Sequence, residues 1–403
     1  MDFPSNPFYS NPGAPVTVGA DAPGENLNHT LEQVAAEGKD RQEAATPGDT
    51  APRPSSPGRD ERLHQGIASP APTKSIPTDT DYDGTLIGNN GQPLSKLNPL
   101  SLYSRKTQNY TMMERLNSPR PSPGGVNDQE LKGAWNSAYV SNSPACQARR
   151  AAGDTPGHIV YVNGINTDKA AQGETLQLIA SQTCAQVIGV HNATETPIAD
   201  IIQSAGDKAL INSARSGKPF ATHDGRNPAV DSLSDVISNS VLDARNSGGD
   251  PPPEIWCHSQ GCAIASLAAY DANNRLIKSG IAEGVSGVTV RSFASAAQAW
   301  PSVLRGQHFI NMQDSVPLHA GLGSDPAADS ANVGPNQQVI RFQGAPGSQN
   351  PTILNPQQLA EMNRVTIDNE GNLIKNMPQE SFFAYHDINT TYLNAARKVN
   401  EGM

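Results

Sequence analysis

Cysteine is scarce: four residues in 403 are too few to build a disulfide scaffold. Long apolar runs are missing too, and no stretch approaches the roughly 18 residues that a transmembrane helix needs. Positive charge is in the minority, with 29 Lys+Arg against 39 Asp+Glu and a formal net charge of -10. That balance argues against nucleic acid, or an anionic membrane surface, as an electrostatically recruited partner. There is no Walker sequence, no G-x-G-x-x-G following a strand, and no Cys/His spacing of the kind that holds zinc. Cys146 and Cys184 are far apart in the chain, while Cys257 and Cys262 lie close together. Hydrophobic residues make up 36% of the chain and aromatics 5%, low for a protein that buries itself throughout.

What is abundant is proline, and it is unevenly placed. Of 33 prolines, 17 fall in residues 1–123 and 16 in the remaining 280. Residues 1–125 are a Pro/Gly/Ser-rich segment, with TPGDTAPRPSSPGRD at 46–60 and SPRPSPGG at 118–125. Proline removes backbone donors, and the scattered apolar residues cannot offset the entropy of ordering, so this segment is expected to be largely disordered. Local order is expected only in ENLNHTLEQVAAEG at 25–38, a weak helical pattern, and YTMMERL at 110–116. The first residues carry neither a basic nor an apolar signal region.

From 126 to 403 the texture is that of one α/β domain. NDQELKGAWNSAYV at 127–140 reads as an entering helix. HIVYVNG (158–164), AQVIGVHN (185–192), EIWCH (254–258), GVTVRSFAS (287–295), HFINMQ (308–313) and QQVIRF (337–342) read as strands. Helical patterns occupy 174–184, 197–214, 230–246 and the stretch after His258, and a closing helix is expected around 387–399. Near-continuous apolar strands alternating with helices predict a mostly parallel sheet covered on both faces.

The strongest chemical signal is the strand EIWCH, then Ser259-Gln260-Gly261, then a small-residue helix. A serine hydroxyl is a poor nucleophile unless a base takes its proton and donors await the oxyanion. A very sharp strand-to-helix turn lifts the serine oxygen clear of the sheet and aims the next backbone N–H at the reacting carbonyl. Such a turn accepts only small residues two before and two after the serine, here Cys257 and Gly261. The alternative is a serine that merely caps a buried helix. Cys257 as nucleophile is disfavoured, since it would face into the strand packing.

On these residues the chain resembles the α/β-hydrolase superfamily, especially its lipase-like branch, in which H-S-Q-G after a short apolar strand recurs; the resemblance covers 158–403. It implies the chain order nucleophile, acid, histidine. His386, in FFAYHDINTTYL near the C-terminus, is then the base, with His319 the second choice and His308 a packed strand residue. The acid is Asp314, at the end of the strand HFINMQ and followed by Val316-Pro317; Asp325 and Asp329 are alternatives, and a plain turn residue is the structural reading of Asp314. The oxyanion donors are expected from the backbone of Gln260, and of Gly164 or Ile165 after the first strand, with a side-chain amide of Asn163 or Asn166 adding to them. Asn163-Gly164 reads equally well as a plain tight turn.

The resemblance implies a serine esterase or lipase that cleaves carboxylic esters, lipid or phospholipid esters foremost, through an acyl-enzyme and without a cofactor or metal. Two loops, about 192–230 and 315–336, are candidate caps over the site. A signal-less, proline-rich N-terminus on a lipase-like domain also resembles bacterial effectors delivered by specialised secretion systems. It implies a bacterial protein, cytoplasmic or exported by such a system, whose N-terminal segment meets a secretion chaperone or other partner. The alternative reading is a secreted effector or binding protein that uses the hydrolase fold without turnover.

Overall fold

Six short runs of β-branched and aromatic residues supply the frame. In the computed structural model, which describes residues 84–89, 126, 128–154, 157–165, 167–192, 227–247, 251–323, 326–362, 366–367, 373–374 and 385–401, they lie side by side in parallel. In chain order the elements begin with β1 (Leu86–Ile87), α1 (Asp128–Asn136), α2 (Pro144–Ala151), β2 (His158–Val162), α3 (Lys169–Thr183), β3 (Gln186–Val190) and α4 (Pro228–Ser247). They continue with β4 (Glu254–His258), α5 (Gln260–Lys278), β5 (Thr289–Phe293), β6 (Arg305–Asn311), α6 (Ser315–Ala320), α7 (Asp329–Asn332), β7 (Gln337–Gln343), β8 (Thr352–Ile353) and α8 (Pro356–Met362). A two-stranded ribbon, β9 (Thr366–Ile367) with β10 (Leu373–Ile374), precedes a π-helical turn (Ile388–Tyr392) and α9 (Leu393–Asn400).

The eight-stranded sheet runs β1-β3-β2-β4-β5-β6-β7-β8. Strands β3 through β7 in that order are parallel, whereas the two-residue edge strands β1 and β8 pair antiparallel. The fold is therefore α/β with a mixed sheet. Alternation along each strand divides the core. Val160, Val162, Ile255, Cys257 and Val290 face Leu233, Ile237, Ala265 and Ala268 of α4 and α5. Ile159, Tyr161, Trp256, Phe293 and Phe309 face Leu176 and Ile179 of α3 and Leu393 and Ala396 of α9. Helix α5 passes beneath the sheet because its residues are small: Gly261, Cys262, Ala263, Ala265, Ala268 and Ala269 are all buried.

Two features lie beyond these expectations. Leu86–Ile87, inside the segment expected to be disordered, forms the edge strand against β3, with Leu86 opposite Val190. The boundary at residue 125 is thus crossed by one strand. All four cysteines, too few for a disulfide scaffold, form two disulfides: Cys146 with Cys184, and Cys257 with Cys262. The first ties α2 to the end of α3, where Cys184 closes the helix in the left-handed conformation at φ 59°. The patterns at 25–38, 110–116 and 197–214 lie outside the described residues, as does the 193–226 part of the first candidate cap. Among the described residues, no helix is long and apolar enough to cross a membrane.

Candidate active site

The carboxyl ends of β2, β4 and β6 converge on one crevice, the place where parallel sheets commonly hold ligands. At the end of β4 the chain reverses into α5 through Ser259, whose backbone adopts φ 55° and ψ -128°. A side chain with positive φ away from glycine is strained, and it persists only where its surroundings hold it. Here Ser259 N donates to Phe293 O at 3.0 Å, and Ser259 O accepts from Cys262 N and Ala296 N at 3.0 and 3.1 Å. The small-residue requirement is met on both sides. A Cβ on Gly261 would overlap the carbonyls of Val162 and Asn163. Cys257 is fully buried and disulfide-bonded to Cys262, so the bond spans the turn that carries Ser259 and removes Cys257 as a nucleophile.

The structure brings Ser259, His386 and Asp314 together. Ser259 Oγ lies 2.8 Å from His386 Nε2, and His386 Nδ1 lies 2.9 Å from Asp314 Oδ2. A carboxylate only accepts, so Nδ1 carries the proton that faces Asp314, and neutral Nε2 is left to accept from the serine hydroxyl. All three are buried, Asp314 completely. Asp314 caps α6 as well: its Oδ1 accepts from Val316 N at 2.9 Å. The turn and acid readings of this residue therefore both hold in its geometry. Tyr392, on the π-helical turn six residues after His386, donates its hydroxyl to Asp314 Oδ2 at 2.6 Å. Burial first, and then the neighbouring carboxylate, raise the Tyr392 pKa well above its ordinary value, so it stays a donor.

His258, the residue before the serine, sits under this arrangement. Its Nε2 donates to the His386 carbonyl at 2.7 Å, and the two rings lie 4.7 Å apart. Burial, and then the His386 ring, hold its pKa well below the usual imidazole value. His258 is therefore a neutral strut that fixes the loop bearing His386.

The residues expected around an oxyanion are also adjacent. Gly164 packs so closely on the serine that a Cβ there would stand 2.7 Å from Ser259 Cβ, and Ile165 follows it at the mouth. Gln260 opens α5. The Gln260 side chain is held by an amide chain that sequence reading did not find: Asn192 Nδ2 donates to Gln260 Oε1 at 2.9 Å, and Asn227 Nδ2 donates to Asn192 Oδ1 at 2.8 Å. Asn163 is a bracket between the ends of β2 and β3, exchanging two bonds of 2.8 Å with the Asn192 backbone, and not a donor facing the serine. Gly164 does not adopt the positive φ of a type I′ or type II Asn-Gly turn.

The alternatives are placed elsewhere. His319 is exposed on α6, where its Nδ1 meets Ser315 O at 2.9 Å. His308 lies buried in β6 between Ser292 and Gln337, and burial lowers its pKa to about 4. Asp329 forms a bidentate pair with buried Arg341 at 2.8 and 3.0 Å. Asp325 and Asn166 lie outside the described residues. Among the described residues no group of His, Cys, Asp and Glu is arranged to hold a metal ion. No protein-family model matches the chain, and no curated protein matches it in sequence.

Proposed function

We propose that this protein is a serine hydrolase of the α/β-hydrolase type that cleaves carboxylic esters, with lipid esters the favoured class, through an acyl-enzyme. The observation that carries this reading is the hydrogen-bonded series Ser259–His386–Asp314, assembled from residues 127 and 72 positions apart. A core built only for packing has no need of an acid, a base and a hydroxyl in series, beside a strained turn.

In this reading His386 Nε2 takes the Ser259 proton as Oγ bonds to the ester carbonyl carbon, and the carbonyl electron pair moves onto oxygen. Asp314 steadies the imidazolium that results. Backbone N–H groups at the start of α5 and in the Gly164-Ile165 turn are the donors suited to the developing negative charge. Collapse of that intermediate breaks the carbon–alcohol bond, and His386 returns its proton to the leaving alkoxide. Water then repeats the sequence on the acylated serine, and no cofactor enters.

The experiment is steady-state hydrolysis of p-nitrophenyl butyrate by the wild type and by Ser259→Ala, His386→Ala and Asp314→Asn. Removing a nucleophile or its base in such a unit lowers kcat by about 10⁴ to 10⁶. Activity that survives Ser259→Ala would overturn the assignment. A wild type without Ser259-dependent turnover would instead favour a binding protein on the same frame.

A further inference from the structure

Beside His386 lies a pocket of 170 Å³ that the triad itself does not use. His386 and His258 form one wall, and Tyr161, Thr167, Thr175, Asp387 and Asn389 supply its polar lining. Among the described residues, no lysine or arginine lines it. We propose that this pocket receives the alcohol half of the ester, and that the alcohol is a small uncharged polyol of the glycerol class. The proposal rests on the serine-hydrolase reading given above.

Position assigns the half of the substrate. His386 must hand its proton to the leaving oxygen, so the leaving group departs along the imidazole side of Ser259. Size restricts it further, because 170 Å³ is below the roughly 300–1,000 Å³ of pockets that enclose a drug-sized molecule. A long acyl chain has no room there.

Chemistry narrows it to hydroxyls. Thr175 Oγ1 donates to Ala171 O at 3.1 Å, which leaves its lone pairs as acceptors. The Tyr161 hydroxyl stays protonated, since burial and the Asp387 carboxylate both raise its pKa. Asp387 is exposed and caps the π-helical turn through Asn389 N and Thr390 N at 2.7 and 3.0 Å. With a carboxylate at the rim and no lysine or arginine among the described lining residues, a phosphate-bearing alcohol is disfavoured.

The test holds the acyl group constant and varies the alcohol. Glyceryl monobutyrate and propyl butyrate share a three-carbon skeleton and differ by two hydroxyls, and glyceryl phosphate monobutyrate adds an anion. The wild type is expected to show kcat/KM for the glyceryl ester about tenfold or more above that for the propyl ester, with the anionic ester lowest. Thr175→Val, which keeps shape and removes the hydroxyl, should reduce the glyceryl-to-propyl ratio about fivefold. Asp387→Asn should raise the anionic ester relative to the neutral one. A second measurement needs no variant: the acyl-enzyme partitions between free glycerol and free 1-propanol at equal concentration, and glycerol should win. A ratio near one, with Ser259-dependent turnover of p-nitrophenyl butyrate intact, overturns the pocket assignment alone. Loss of that Ser259-dependent turnover overturns the hydrolase reading and the pocket assignment together.

Discussion

Replacing Tyr392 by phenylalanine isolates one hydrogen bond in the proposed catalytic series. The ring is fully buried and packs edge-on against Phe342 with centroids 5.3 Å apart, so Phe fills the same space. What disappears is the hydroxyl that donates to Asp314 Oδ2 at 2.6 Å and accepts from Asn311 N at 3.3 Å. A hydrogen bond to a charged group contributes about 1.5–3 kcal/mol, equivalent to about 10- to 150-fold in rate at 1.36 kcal/mol per decade. Asp314 keeps Val316 N at 2.9 Å and His386 Nδ1 at 2.9 Å, so the lower end applies. The expected result is a kcat about tenfold lower on p-nitrophenyl butyrate with KM little changed, because the bond orients the base and touches no substrate. The orphaned Asn311 N–H adds a stability loss of about 1–3 kcal/mol, measurable by denaturant unfolding. A folded Tyr392→Phe variant with wild-type kcat, or one that changes only KM, would refute the reasoning.

Other consequences are equally direct. His308 is fully buried with a pKa lowered to about 4 from 6.5; the folded state resists protonation, so stability is full above about pH 6.5 and is lost as pH falls toward 4, by about 3 kcal/mol in total. Unfolding free energies measured from pH 7 to 4 should slope less in His308→Gln than in the wild type, and parallel slopes would count against it. Gly164→Ala forces a Cβ against Ser259 Cβ at 2.7 Å; turnover should fall at least tenfold in a protein whose melting temperature changes by only a few degrees. The Cys146–Cys184 disulfide closes a loop with a separation of 38 residues and Cys257–Cys262 one of 5; in the chain-entropy picture they contribute about 4 and about 2 kcal/mol. Paired Cys→Ala variants compared by denaturant unfolding should keep that order.

How much could be read from the chain depended on the range of the interaction. The turn at Ser259 was legible because its determinants are local: an apolar strand, two small flanking residues and a slim helix within twenty positions. Asp314 was legible from the strand that leads into it, and His386 from chain order once a resemblance was granted. The parallel strands followed from apolar runs without alternation, as at HIVYV and QVIGV. The supporting groups were not legible. Tyr392 meets Asp314 across 78 residues and His258 meets His386 across 128, and neither residue type stands out where it occurs. The Asn227–Asn192–Gln260 amide chain joins three separate segments, and an asparagine before a helix reads simply as a cap. The edge strand β1 was hidden for the opposite reason: two apolar residues in polar surroundings carry almost no periodic signal, and pairing with β3 supplies what the local sequence lacks.

The most direct test of the central claim is covalent. The full chain is treated with a fluorophosphonate, and the adduct is located by peptide mass mapping. A single phosphonyl adduct on Ser259, formed far more slowly in His386→Ala and absent in Ser259→Ala, is the predicted result. An unmodified Ser259 in folded protein, or a label elsewhere that survives Ser259→Ala, would contradict it.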